Sequence, residues 1–189
     1  MKHVLYALLT AVSILFTSCG PSSNTNNPQV PNVPQPQPQP QPEVTQKVVI
    51  GYLALDDWEF ESLFPTIEWK YLTHINASFA RVKADGTLNI NPVRKRIESV
   101  RETAHKHNVK ILISLAKNSP GEFTTAINDP KARKELIQQI IAFTKEYKLD
   151  GFDIDYEEYD NWDKNFPSLL VFARGLYLAK EKNMLMTCA

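Results

Sequence analysis

The sequence of 189 residues lacks net charge: 21 Lys and Arg balance 21 Asp and Glu. Phosphate recognition needs a basic excess, so no nucleic-acid partner is expected. Cysteine is nearly absent, and Cys19 and Cys188 allow one disulfide at most. No Gly-x-Gly-x-x-Gly follows the first apolar run, which argues against a dinucleotide site. The apolar run at the front, Val4 to Phe16, is too short to span a bilayer comfortably. Proline is scarce wherever a core could form, because eight of the 13 lie between Pro21 and Pro42. The first quarter of the chain is therefore not part of a core.

That first quarter reads as an address and a tether. Met1-Lys2-His3 is a short basic start, and Val4 to Phe16 suits the apolar region of a signal peptide. Thr17-Ser18-Cys19-Gly20 then resembles the bacterial lipobox, whose cysteine is lipidated and becomes the first mature residue. Residues 1–18 are accordingly expected to be a lipoprotein signal peptide. The alternative is ordinary secretion with cleavage near Ser18. Removing that peptide leaves 20 basic against 21 acidic residues, so attachment to a membrane would come from the lipid on Cys19 and not from polybasic attraction. Residues 19–46 form a Pro/Gln-rich linker, too polar to fold and suited to extended polyproline II. At ~3.1 Å per residue it could reach about 80 Å. The expected location is the bacterial cell envelope, with the outer membrane the first expectation. With Cys19 lipidated, Cys188 stands alone in the apolar run Met184–Ala189 and is expected to be a buried thiol.

Residues 47–189 alternate strand and helix. Strands are expected over 47–55, 74–82, 109–116, 151–157 and 184–188, with Asp85-Gly86 as a turn. Asn91-Pro92 and Asp129-Pro130 each supply an N-cap and an N1 proline for a helix. The second of these helices presents Leu136, Ile140, Phe143 and Tyr147 on one face. A further apolar helix covers 166–182. Crossover helices between near-continuous apolar strands imply a parallel α/β sheet. Doubly wound sheets and (β/α)8 barrels both fit.

The fourth strand carries the chemistry. In Asp150-Gly151-Phe152-Asp153-Ile154-Asp155-Tyr156-Glu157, alternation sends Phe152, Ile154 and Tyr156 toward the helices. Asp153, Asp155 and Glu157 share the other face, ~6.6 Å apart. Two charges at that spacing repel by ~2.5 kcal/mol at an effective dielectric of about 20. One of the three is therefore expected to hold its proton near neutral pH. Glu157, at the C-terminal end of the strand where barrel sites assemble, suits a general acid. A solvated acidic edge and a Ca²⁺ or Mg²⁺ site are the bland alternatives. The first conflicts with burial of a crossover sheet, the second with ligands spread along one strand.

This run resembles the Asp-x-x-Asp-x-Asp-x-Glu signature of family 18 glycoside hydrolases, the chitinases and endo-β-N-acetylglucosaminidases. Val49-Ile50-Gly51-Tyr52, Leu72 to Ala80 and Lys110 to Ser114 resemble the family's first three strands, in the family's order. The resemblance implies a (β/α)8 TIM barrel and a retaining, substrate-assisted glycosidase. It implies that Glu157 is general acid and then base, that Asp155 orients the 2-acetamido group, and that Asp153 shares a proton with Asp155. Tyr52 and Ser114 match positions that hydrogen-bond Asp153, while Asp150 is structural. The implied ligand is an N-acetylglucosamine oligosaccharide, either chitin oligomers or the chitobiose core of N-glycans, with no cofactor and no metal. Trp58 and Trp162 follow strands one and four and are candidates to line a sugar cleft.

Two departures stand out. Ala116-Lys117 occupies the place of a Gly-Gly pair and puts a cation at the floor or rim of the cleft. Tyr156 replaces a tryptophan. A full barrel takes about 250 residues, and 47–189 holds 143 with five strands, so the expectation is the N-terminal part of a barrel, truncated after the start of strand five. The alternatives to an enzyme are a non-catalytic glycan-binding lipoprotein on the same scaffold and an inactive fragment.

Overall fold

The structure is a computed structural model that describes residues 47–158 and 161–189. The signal-peptide, lipidation and linker expectations for 1–46 lie outside the described residues.

Strand β1 (Ile50–Ala54) leads into a short helix α1 (Phe60–Leu63) and two 3₁₀ turns (Phe64–Thr66 and Trp69–Tyr71). Strand β2 (His74–Val82) pairs parallel with β1, and a two-residue strand β3 (Leu88–Asn89) folds back on it. Helices α2 (Asn91–Arg94) and α3 (Ile97–Lys106) precede β4 (Lys110–Lys117). Helices α4 (Glu122–Asn128) and α5 (Pro130–Glu146) precede β5 (Gly151–Ile154). Helix α6 (Trp162–Ala179) then leads to β6 (Leu185–Cys188). The five long strands run parallel in the order β1-β2-β4-β5-β6. This is the expected α/β order, and its strand–helix succession is that of a (β/α)8 barrel, of which these residues supply five strands.

Local chemistry explains the element starts that the sequence announces. The Asp129 carboxylate accepts from the Ala132 amide at 2.6 Å and caps α5, with Pro130 following it. Leu136, Ile140 and Phe143 form its buried face. Asn91-Pro92 behaves differently. Ile90 is the cap, and the helix breaks at Arg96, whose guanidinium reaches back to the carbonyls of Leu55 and Asp57 and to Glu61. Arg96 is thus half-buried. Gly151 is required by close approach, because a Cβ there would meet the Leu185 carbonyl oxygen of β6 at 2.1 Å.

Two boundaries and one helix differ most from expectation. The fourth strand ends at Ile154 and not Glu157; only the Asp155 amide continues the ladder, to Leu115. Helix α6 begins at Trp162 and not Phe166, after Asn161 in a left-handed conformation. Helix α4 went unforeseen because seven residues give only one apolar turn, Phe123, Ala126 and Ile127. Cys188 is exposed, contrary to the buried thiol expected. It ends β6, which pairs with β5 on one side and is the last strand in the order.

The sheet has two faces of different chemistry. Toward the helices point Ile75, Ala77, Ile111, Ile113, Leu115, Phe152, Ile154 and Tyr156, which join the helix residues in one apolar core. The opposite face carries Tyr52, Asn76, Ser114, Asp153 and Thr187. On a flat sheet Tyr52 on β1 and Asp153 on β5 would lie three strand spacings apart, about 14 Å. That exceeds the reach of a tyrosine toward an aspartate. Yet the phenol donates to Asp153 Oδ2 at 2.7 Å. The sheet therefore curls around this face, as a barrel wall does.

Candidate active site

The site is assembled by register. Ser114 on β4 and Thr187 on β6 stand directly opposite Asp153 on β5. Both hydroxyls reach its carboxyl, Ser114 at 2.7 Å on Oδ2 and Thr187 at 2.6 Å on Oδ1. With Tyr52, three hydroxyls donate to one carboxyl that is 1% exposed. Burial, reinforced by the hydrogen bond to Asp153, holds the Tyr52 phenol far above the usual tyrosine range. Asn76 stands opposite Tyr52 in the β1–β2 register, and its Oδ1 is buried without a hydrogen-bond partner.

Asp155, 9% exposed, lies one step further along the same face. Burial raises its carboxyl above the usual carboxylate range, and the neighbouring Glu157 and Asp153 raise it further. The cations of Lys117 and Arg81 oppose the shift. The repulsion expected along this face therefore bears on Asp155. A carboxyl whose folded pKa is raised contributes its stability below the unfolded value and loses it as pH rises through the folded one. Ionised Asp155 thus costs stability at neutral pH. Asp155→Asn should stabilise the fold by about 1 kcal/mol at neutral pH. The gain should disappear in acid below the carboxylate range, as thermal unfolding at the two pH values will show.

Glu157 is exposed. It borders a cavity of about 500 Å³ shared with Lys117, Gly121, Thr124, Glu158 and Asn161. Its backbone is held from β4, since Lys117 Nζ donates to the Glu157 carbonyl at 2.8 Å. Glu158, buried beside it, accepts from the Gly121 and Thr124 amides at the start of α4 and from the Thr124 hydroxyl. Tyr156 packs behind the site against Phe123 and bonds Thr124.

The structure thus brings together Tyr52, Ser114 and Asp153 in one network, with Asp155 and Glu157 coupled beside it. Asp150 stands apart, at the other end of β5, bonded to the Ile111 amide and to His105. Trp58 is 86% exposed, and Trp162 packs on Tyr156 and Phe166. Four participants were missed in the sequence. Thr187 is one hydroxyl in an apolar run, legible only once strand register is known. Asn76 is one amide in the second strand, with no motif to mark it. Glu158 is masked by the motif it adjoins. Arg81 should by alternation have faced the helices with Ile75 and Ala77. The ladder slips between Ala77 and Ala80, where β2 spends three residues against two of β4. That bulge returns Ala80 and Val82 to the core and turns Arg81 to the mouth. Among the described residues no group of three His, Cys, Asp or Glu is arranged to hold a metal.

This fold has known counterparts. The model of the glycosyl hydrolases family 18 matches residues 48–189. The chain belongs to that family. Chitinase B of Serratia marcescens is 26% identical over 144 residues, covering 60% of this chain and 28% of its own length. A chitinase-like effector of Moniliophthora roreri is 28% identical over 95 residues, covering 48% of this chain and 23% of its own. Among solved structures, a chitinase from Rhizomucor miehei aligns with a TM-score of 0.64 at 20% identity, over 74% of this chain and 46% of that one. The family 18 chitinase from Cycas revoluta in complex with (GlcNAc)3 gives 0.64 at 22% identity, over 74% and 44%. The chain spans less than half the length of each of these relatives.

Proposed function

We propose that this chain carries the acid/base half of a retaining glycosidase that cleaves β-1,4 bonds next to N-acetylglucosamine. The observation that carries this reading is the hydroxyl-clad Asp153 beside a buried Asp155 and an exposed Glu157. Glu157 protonates the glycosidic oxygen and later activates water. The protonated Asp155 holds the 2-acetamido group so that its carbonyl attacks C1. Asp153, fixed by Tyr52, Ser114 and Thr187, supports that proton. The substrate's own carbonyl thereby replaces a second protein carboxylate as nucleophile. The bound oligosaccharide in the Cycas revoluta relative supports an N-acetylglucosamine oligomer as ligand. On the same proposal a lipid on Cys19 anchors the domain at a bacterial cell envelope.

The test is product release from N-acetylglucosamine oligomers by the full chain, beside calorimetric binding of the same oligomers. Cleavage is expected. Binding without product would favour the second reading, a glycan-binding protein, for which the cationic Lys117 at the cleft rim is the supporting observation.

A further inference from the structure

The acid/base residue lies outside any strand. β5 ends at Ile154, and after the Asp155 amide the ladder gives no further support. Such a segment would leave a general acid loosely placed, and misplacement of about 1 Å is enough to cost ~100-fold in rate. Two contacts, one from the last residue of β4 and one from the start of α4, replace the missing ladder. One is the hydrogen bond from Lys117 Nζ to the Glu157 carbonyl, at 2.8 Å. The other is the seating of the Glu158 carboxylate on the start of α4. Together they hold the segment through the Glu157 carbonyl and the Glu158 carboxylate.

We infer that Lys117 is the positioning residue of this site, fixing the backbone of Glu157 through its ammonium. The inference rests on the proposed hydrolase reading and deepens it. Lys117 also places a positive charge beside Asp155. The groups that face Asp155 are Asp153 of β5, Glu157 of its own segment, Lys117 of β4, Arg81 of β2 and Tyr52 of β1. Of these, Lys117 bonds the Glu157 carbonyl, and its charge also opposes the upward shift of Asp155. A lysine that only solubilised the rim would do neither.

The test compares Lys117→Met, which keeps the alkyl stem, with Lys117→Arg, which keeps a cationic donor, in the full chain. The readouts are kcat and KM on an N-acetylglucosamine oligomer and the Asp155 carboxyl titration followed by carbon NMR. Lys117→Met should lower kcat about 10-fold or more with KM changed less than about twofold. It should also move the Asp155 midpoint upward, because an opposing cation is gone. Lys117→Arg should restore both. If near-ultraviolet circular dichroism shows that Lys117→Met does not fold, Lys117→Ala, which also removes both donor and charge, carries the same expectations. A wild type that cleaves, with a methionine variant equal to it in kcat and Asp155 midpoint, overturns this inference alone. A wild type that cleaves nothing overturns the hydrolase reading and this inference with it.

Discussion

Glu157→Gln should reduce turnover of N-acetylglucosamine oligomers by about 1,000-fold or more, in the upper part of the range for general acid catalysis. Glutamine keeps the shape and cannot donate or accept the proton at working pH. Folding should be nearly untouched, because the Glu157 side chain is exposed and the contact that holds the residue runs through its backbone carbonyl. The melting temperature is expected within about 2 °C of wild type, as surface substitutions usually are. The defect should also depend on the leaving group. An aryl glycoside of an acidic phenol leaves without protonation, so its bond cleavage should suffer far less than that of a sugar leaving group. A uniform loss across both substrates would point to a misfolded site and not to a missing acid.

The second large effect is on stability. Asp153→Ala should destabilise the fold by about 3 kcal/mol, a sizeable share of the roughly 5–15 kcal/mol available to a domain. Three hydroxyls lose their acceptor at once. Tyr52 and Thr187 are partly exposed and can turn to water, but Ser114 is fully buried. An unsatisfied buried donor costs about 1–3 kcal/mol, and the lost hydrogen bonds add to it. Relief of repulsion with Asp155 works the other way and is the smaller effect here. The two aspartates, two residues apart, should therefore move stability in opposite directions. Asp155→Asn is expected to raise the denaturation midpoint and Asp153→Ala to lower it. Shifts of the same sign would contradict the assignment of Asp153 as the clothed carboxyl and Asp155 as the strained one.

Much of this was legible in the sequence because it depends on local pattern. The alternation of apolar runs with capped helices, such as Asp129-Pro130, predicted the parallel order that the sheet adopts. The acids on one strand predicted a repulsion that one carboxyl must relieve. The sequence could not say which carboxyl. Burial bears on that, and it raises the Asp155 carboxyl, with Glu157 and Asp153 adding to the shift. Thr187 was invisible because its importance comes from the register of β6 against β5. Arg81 carries no signal in the sequence, because one extra residue in β2 inverts the alternation after Ala77. The strand was read three residues too long because acids at alternating positions look the same whether or not the backbone still pairs. Lys117 was noticed as a departure, yet its contact joins residues 40 apart in sequence and exists only once β4 and β5 lie side by side.

The central claim is that the acetamido carbonyl of the substrate is the nucleophile, with Glu157, Asp155 and Asp153 arranged to serve it. The most direct measurement gives the full chain an N-acetylglucosamine oligomer beside the same oligomer stripped of its acetyl groups, and follows cleavage of each. The account predicts that the acetylated oligomer is cut and the stripped one is not, even where both bind. Equal cleavage of the two would contradict it.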